Sequence, residues 1–345
     1  MNKVSVLTLA FARYFWLIGT RMQKLLVIVS AFVMLAGTTG LQAQTYPSRP
    51  ITLLVPYPPG GTSDLIARIL GERMKASLGQ PIIIENVGGA GGTIGVGRVA
   101  RALPDGYTLG IGNVSTYVLN GAAYTLSYDL LKDFEPVALL TSNPLMIVAK
   151  NATPASDLKG LVSWIKSNRD QISVATVGAG SSAHIAGVYF ENTIGVRFNY
   201  VPYRGGAPAV QDLVSGQVDL MFIQATDAVP HVRAGRIKGF AVTANRRMPS
   251  VPDVPTVDEA GLPGFYMIIW NGFWVPKATP TTVTDKLNAA AVQALADTTA
   301  QHRLADIGQE LPPLDQLTPD ALAAQQKAEA EKWWPIIRAA RIKAD

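Results

Sequence analysis

Ile51-Thr-Leu-Leu-Val-Pro-Tyr57-Pro-Pro-Gly60-Gly61-Thr62-Ser-Asp64 reads as a strand, a glycine turn and the start of a helix in one stretch. Ile51–Tyr57 is apolar and strand-like. Leu65, Ile69 and Met74 then recur near helical spacing through Asp64–Leu78. The same order returns along the chain. Strands are expected at Pro81–Glu85, Thr108–Asn113, Val137–Thr141, Leu145–Lys150, Ile172–Val177, Asn199–Tyr203, Gln217–Ile223 and Ile237–Thr243. Helices are expected at Ile94–Leu103, Leu158–Asn168, Ser182–Ile194 and Pro208–Ser215, with long Ala- and Leu-rich helices from Thr282 onward. Trp333, Trp334, Ile336 and Ile337 would dock the last of them. Strands alternating with helices define an α/β protein.

Four of the strand-to-helix turns share a composition. They are Tyr57 to Asp64, Gly88-Gly-Ala-Gly91-Gly92-Thr93, Gly178-Ala-Gly180-Ser181-Ser182, and Tyr203-Arg-Gly205-Gly206-Ala-Pro208. A helix N-terminus carries unpaired N–H groups and a partial positive charge. Glycine lets a ligand approach that backbone, and hydroxyls add donors. Several such turns around one cleft would hold a carboxylate without Lys or Arg. Each turn alone has a plainer reading, with Thr62 and Ser182 as N-caps and Pro208 in a first helical turn. Four together favour a binding cleft outside the strand C-termini.

Composition removes other classes. The 345 residues are 48% hydrophobic and include no cysteine, which suits about two domains and excludes thiolate metal sites and cysteine nucleophiles. The net charge of +5 is an N-terminal effect. Four of the 30 basic residues and none of the 25 acidic ones fall within 1–43, leaving the remainder at +1 with no basic patch for nucleic acid. Arg21 and Lys24 followed by an apolar run from Leu25 to Gly37 form a secretory signal, with cleavage expected after Ala43 and translation starting at Met22. No later run is long enough to span a membrane. Gly95-Val-Gly-Arg-Val-Ala100 matches a dinucleotide fingerprint, but its strand ends too early and no acidic residue follows at the ribose position. His184, His231 and His302 lack metal-ligand spacing, and no catalytic triad, P-loop or nucleophile elbow is present. No catalytic residue, metal or cofactor is expected.

The motifs above, together with Glu85-Asn-Val-Gly-Gly-Ala-Gly-Gly-Thr-Ile-Gly95, Pro104-Asp-Gly-Tyr-Thr-Leu109, Lys132-Asp-Phe-Glu-Pro-Val137, Val201-Pro-Tyr-Arg-Gly-Gly-Ala-Pro-Ala209, Gly216-Gln-Val-Asp-Leu-Met-Phe222, Pro252-Asp-Val-Pro-Thr256 and Glu259-Ala-Gly-Leu-Pro-Gly264, resemble the tripartite tricarboxylate transporter receptors, the TctC/Bug-like family. The likeness runs from about Tyr46 to the C-terminus. It implies a type II periplasmic-binding fold: two α/β domains joined by two crossover strands, closing over a ligand. The expected domains are 45–142 plus 245–345 and 143–244. The implied ligand is a small organic carboxylate or an amino acid. It would be delivered by a monomeric periplasmic receptor to two integral-membrane permease subunits, or sensed for a membrane signalling partner; a carboxylate-processing enzyme is the remaining alternative. Tyr57, Gly60, Gly61, Thr62, Asp64, Gly91 and Gly92 would form one wall. Gly180, Ser181, Ser182, His184, Tyr203, Gly205 and Gly206 would form the other, with Trp270 near the cleft. Two positions depart from the family. Tyr57 stands where Phe is commoner. Asp227 replaces a small or hydroxyl residue, and three readings of it stay open: a cap for the next helix, a partner for Arg204, or a ligand contact favouring a positive or hydrogen-bond-donating group.

Overall fold

β1 (Ile51–Val55) is buried along nearly its whole length, because it is flanked on both sides by parallel neighbours, β2 (Ile82–Asn86) and β3 (Thr108–Asn113). α1 (Thr62–Leu78) joins β1 to β2. It buries Ile66, Leu70 and Met74 and ends at Gly79, whose left-handed φ of 68° lets its N–H close on the Lys75 carbonyl. α2 (Thr93–Ala100) joins β2 to β3, and a helical turn that includes α3 (Asn120–Ala123) follows. A computed structural model describes residues 46–169, 171–203 and 205–344. The export signal read in residues 1–43, with its Met22 start, and the Arg204 partner for Asp227 lie outside the described residues.

β4 (Phe134–Lys150) organises the rest. The sequence breaks it into two strands at Ser142-Asn143-Pro144, whereas the structure runs straight through. Its partner changes at that point. Phe134 to Pro144 pair antiparallel with β9 (Ile268–Pro276), and Leu145 to Lys150 pair with β7 (Leu220–Gln224) and β8 (Ile237–Val242). Pro144 has no N–H to give a ladder, so it sits where one set of partners ends and the next begins. Beyond it, α4 (Leu158–Ser167), β5 (Ser173–Thr176), α5 (Ser182–Ile194), β6 (Asn199–Pro202), α6 (Gly206–Val214) and α7 (Ala225–Arg233) build a second parallel set, β6-β5-β7. The path β2-β1-β3-β9-β4-β7-β5-β6, with β8 paired to β4 off it, reads alike from both ends: three parallel strands, then one antiparallel strand.

The segment 245–267 links β8 to β9. Met248, Val251 and Val254 share a core with Met146, Val148 and Val210, and Phe265 stands edge-on to Phe190. Thr243 ties β4 to the end of this segment. Its hydroxyl lies within hydrogen-bond distance of the Leu145 carbonyl at 3.0 Å and the Met267 carbonyl at 2.6 Å, and accepts the Leu145 N–H at 3.0 Å.

α8 (Thr281–Ala296), α9 (Thr298–Asp306) and α10 (Pro319–Ala339) close the chain, as its composition leads one to expect. Trp333 and Ile337 are fully buried, Trp334 and Ile336 partly so, and the Trp334 indole N–H donates to the Val118 carbonyl at 2.9 Å. Burial of each aliphatic anchor such as Ile337 contributes about 1.5–3 kcal/mol.

Candidate functional site

A cavity of about 700 Å³ opens where the strand C-termini gather, and the starts of α1, α2, α5, α6 and α7 line it. This volume suits a small organic molecule. Among its described lining residues there is no Lys, Arg or His, and Asp227 is the one carboxylate.

The first turn is braced from behind. Asp64 is buried and accepts from the Gly60 N–H at 2.9 Å, from Arg68 Nε at 2.9 Å and from Asn86 Nδ2 at 2.9 Å. Burial works against its charge, but the bonds from Arg68, Gly60 and Asn86 outweigh burial and hold the carboxyl below its ordinary range. Asp64 and Gly60 are therefore absent from the cavity wall, while Gly61, Thr62 and Ser63 stand on it. The N-cap is Gly61, not Thr62, and no side chain caps α1. Tyr57 lines the cavity, and its hydroxyl donates to Asn113 Oδ1 at 3.2 Å. Burial pushes that phenol up to about 12, against lowering by Asn113 and Thr116.

The second turn needs its glycines. Gly89, Gly91 and Gly92 have φ of 123°, 61° and 92°, and a Cβ on Gly92 would lie 2.6 Å from Thr116 Cγ2. Gly95 packs against Val87 and Pro56, so the Gly95-Val-Gly97 spacing serves helix-on-strand packing.

In the third turn, Ser181 is the cap. Its hydroxyl donates to the Gly178 carbonyl at 2.7 Å and accepts the His184 N–H at 3.2 Å. Ser182, the cap expected from the sequence, is instead the first helical residue and lines the cavity. His184 is turned away from the cavity wall, with Nδ1 accepting the Gly180 N–H at 3.2 Å and the ring edge-on to Tyr200. In the fourth turn Gly205 and Gly206 line the cavity, whereas Tyr203 leaves it to donate to Asp212 at 2.7 Å. Trp270 is buried behind the wall against Trp274. Strand alternation explains this: its neighbours Ile269 and Asn271 face the cavity, so Trp270 faces the other way.

Asp227 stands on the wall in the first turn of α7. It is not the cap; Gln224 is. Burial pushes its carboxyl above the ordinary range, against a smaller pull from His231. The sequence marks this fifth helix start only through Asp227, since it lacks glycine, and sequence reasoning misses the polar wall residues Asn113, Asn120, Gln224 and Asn271. An amide inside the apolar run Ile268 to Trp274 is the signal that marks Asn271. Among the described residues, no His, Cys, Asp or Glu group is arranged for a metal ion, and no helix is long and apolar enough to cross a membrane.

This arrangement is that of a periplasmic binding protein. The protein called MatC from Rhodopseudomonas palustris, solved with bound malate, is similar at 41% identity and a TM-score of 0.76, covering 85% of this chain and all of that one (100%). The periplasmic binding protein BugD is 39% identical with a TM-score of 0.76, covering 86% of this chain and 100% of its own. An adipate-bound protein of R. palustris is 31% identical with a TM-score of 0.77, covering 86% and 99%. Residues 66–342 match the model of the tripartite tricarboxylate transporter family receptor, and the chain belongs to that family.

Proposed function

We propose that the protein is an exported receptor that captures a small organic carboxylate and hands it to the membrane permease subunits of a tripartite-type transporter. The observation that carries this reading is the cavity wall itself: five helix starts and no cationic side chain among the described lining residues. Backbone N–H groups and hydroxyls at helix N-termini bind a carboxylate without a counter-charge. The bound malate of MatC and the adipate of the other R. palustris relative support the ligand class. In this reading residues 47–144 and 268–345 form one lobe and 145–267 the other. Rotation at Pro144–Leu145 and Met267–Ile268 closes them. The signal at residues 1–43 directs export, and cleavage follows Ala43. The role is capture and release rather than turnover.

A thermal-shift panel of diacids, hydroxy acids, aromatic acids and amino acids tests this. An acid at about 100 times its Kd adds about 2.7 kcal/mol to stability. Ser182→Asp puts like charge at the third turn and is expected to abolish the shift while leaving the unliganded melting temperature nearly unchanged. A panel in which no acid stabilises the protein contradicts the proposal, as does an unaltered shift in Ser182→Asp.

A further inference from the structure

The polar groups of the cavity are not distributed evenly. The turns at α1, α2 and α5 present N–H groups and hydroxyls, and no described residue there adds a negative charge. The corner where α6 meets α7 is different. Asp227 reaches across to the first residue of α6, its Oδ2 lying 3.3 Å from where a Cβ on Gly206 would stand. Gly206 thus leaves room for the carboxylate, and the α6 N-terminus already has a negative group beside it. No hydrogen bond or ion pair joins the Asp227 carboxylate to any described residue. Next to it, the Gln224 amide oxygen is buried without a donor. Gln224 can turn either end of its amide toward a ligand, but an ionised Asp227 can only accept.

We infer that Asp227 makes this receptor selective for an organic acid that also carries a hydrogen-bond donor, an ammonium before a hydroxyl, over the plain diacid of the same length. The inference rests on the carboxylate reading above. The ligand carboxylate takes the donor side at α1, α2 and α5. Its donor faces Asp227, where it pairs with a carboxylate that has no described partner. A plain diacid would instead place a second negative charge against Asp227.

Calorimetric titration at pH 7 with matched pairs tests this: aspartate and succinate, glutamate and glutarate, phenylalanine and 3-phenylpropionate, with malate as the hydroxyl-bearing member. The wild type is expected to favour the amine-bearing member of the pair that fits by about 10- to 100-fold, the range of a hydrogen bond to a charged group, with malate between aspartate and succinate if the C4 pair fits. Asp227→Asn is expected to weaken the amine-bearing acid and strengthen its deaminated partner. Asp227→Ser should do the same, and the wild-type comparison stands without either variant. Equal wild-type affinity within the pair that binds, or an equal change of both members in Asp227→Asn, overturns the selectivity while leaving the carboxylate reading intact. Absence of binding by every acid overturns both.

Discussion

His184 holds the third glycine turn through a single acceptor. Its Nδ1 takes the Gly180 N–H, which a protonated imidazole cannot do, and burial lowers its pKa below the ordinary histidine range. The unfolded chain therefore takes up this proton at higher pH than the folded one. The His184 contribution to stability is complete above the ordinary value of about 6.5 and is lost as the pH falls through it toward the folded value. Asp227, Glu191 and Glu329 carry raised carboxyl pKa values and act with the opposite sign over acidic pH, so the histidine effect has to be isolated by difference. His184→Asn keeps an acceptor near the Nδ1 position and removes the titration. The stability difference between wild type and His184→Asn, measured by denaturant unfolding from pH 8 to pH 5, is expected to move against the wild type as pH falls. A difference that stays constant across that range contradicts the Gly180–His184 bond as drawn.

At the scale of elements, the glycine turns divide into two kinds. Gly92 has a φ of 92°, and an added Cβ would press on Thr116 Cγ2 and the Pro56 carbonyl. Gly61 has a φ of −78° and would bring its Cβ no nearer than 3.8 Å to Pro58 O. Gly92→Ala is therefore expected to destabilise the protein by about 1–3 kcal/mol, and Gly61→Ala to change stability by less than about 1 kcal/mol. Equilibrium urea unfolding of the two variants checks the contrast, and equal losses would contradict it. This contrast also explains what the sequence made legible. Turns that demand left-handed backbone advertise themselves as glycine, so four of the five helix starts at the cavity are readable from glycine alone. The fifth, Gln224 to Asp227, needs no positive φ. Its helix carries Pro230 inside, a residue that argues against helix in a bare sequence. β9 was hidden for a related reason, because Trp270-Asn271-Gly272 interrupts the β-branched pattern of a central strand. Asn113 and Asn271 reach the wall only through strand register, and the packing of 245–267 against Met146 and Val148 depends on tertiary contact that no local pattern encodes.

At the scale of the molecule, residues 47–345 pack as one compact unit in which β4 and β9 run side by side past the cavity. Polar contacts concentrate at this passage. Thr141 donates to Gln309 at 2.9 Å, Asn143 donates to the Gly308 carbonyl at 2.7 Å, and the Ala225 N–H donates to Asn143 Oδ1 at 3.1 Å. Asn143 thus ties the start of α7, and with it Asp227, to the point where β4 changes partners. Buried and hydrogen-bonded on both sides, such a residue favours discrete arrangements over gradual deformation. In the proposed reading, function depends on what the cavity wall offers a bound acid. The most direct measurement is a crystal structure of the protein grown with the acid that stabilises it most. The account predicts ligand carboxylate oxygens within about 3.2 Å of N–H or hydroxyl donors at the starts of α1, α2 or α5, and no Lys or Arg nitrogen within hydrogen-bond distance. A carboxylate held by a cationic side chain, or an acid bound outside this cavity, would contradict it.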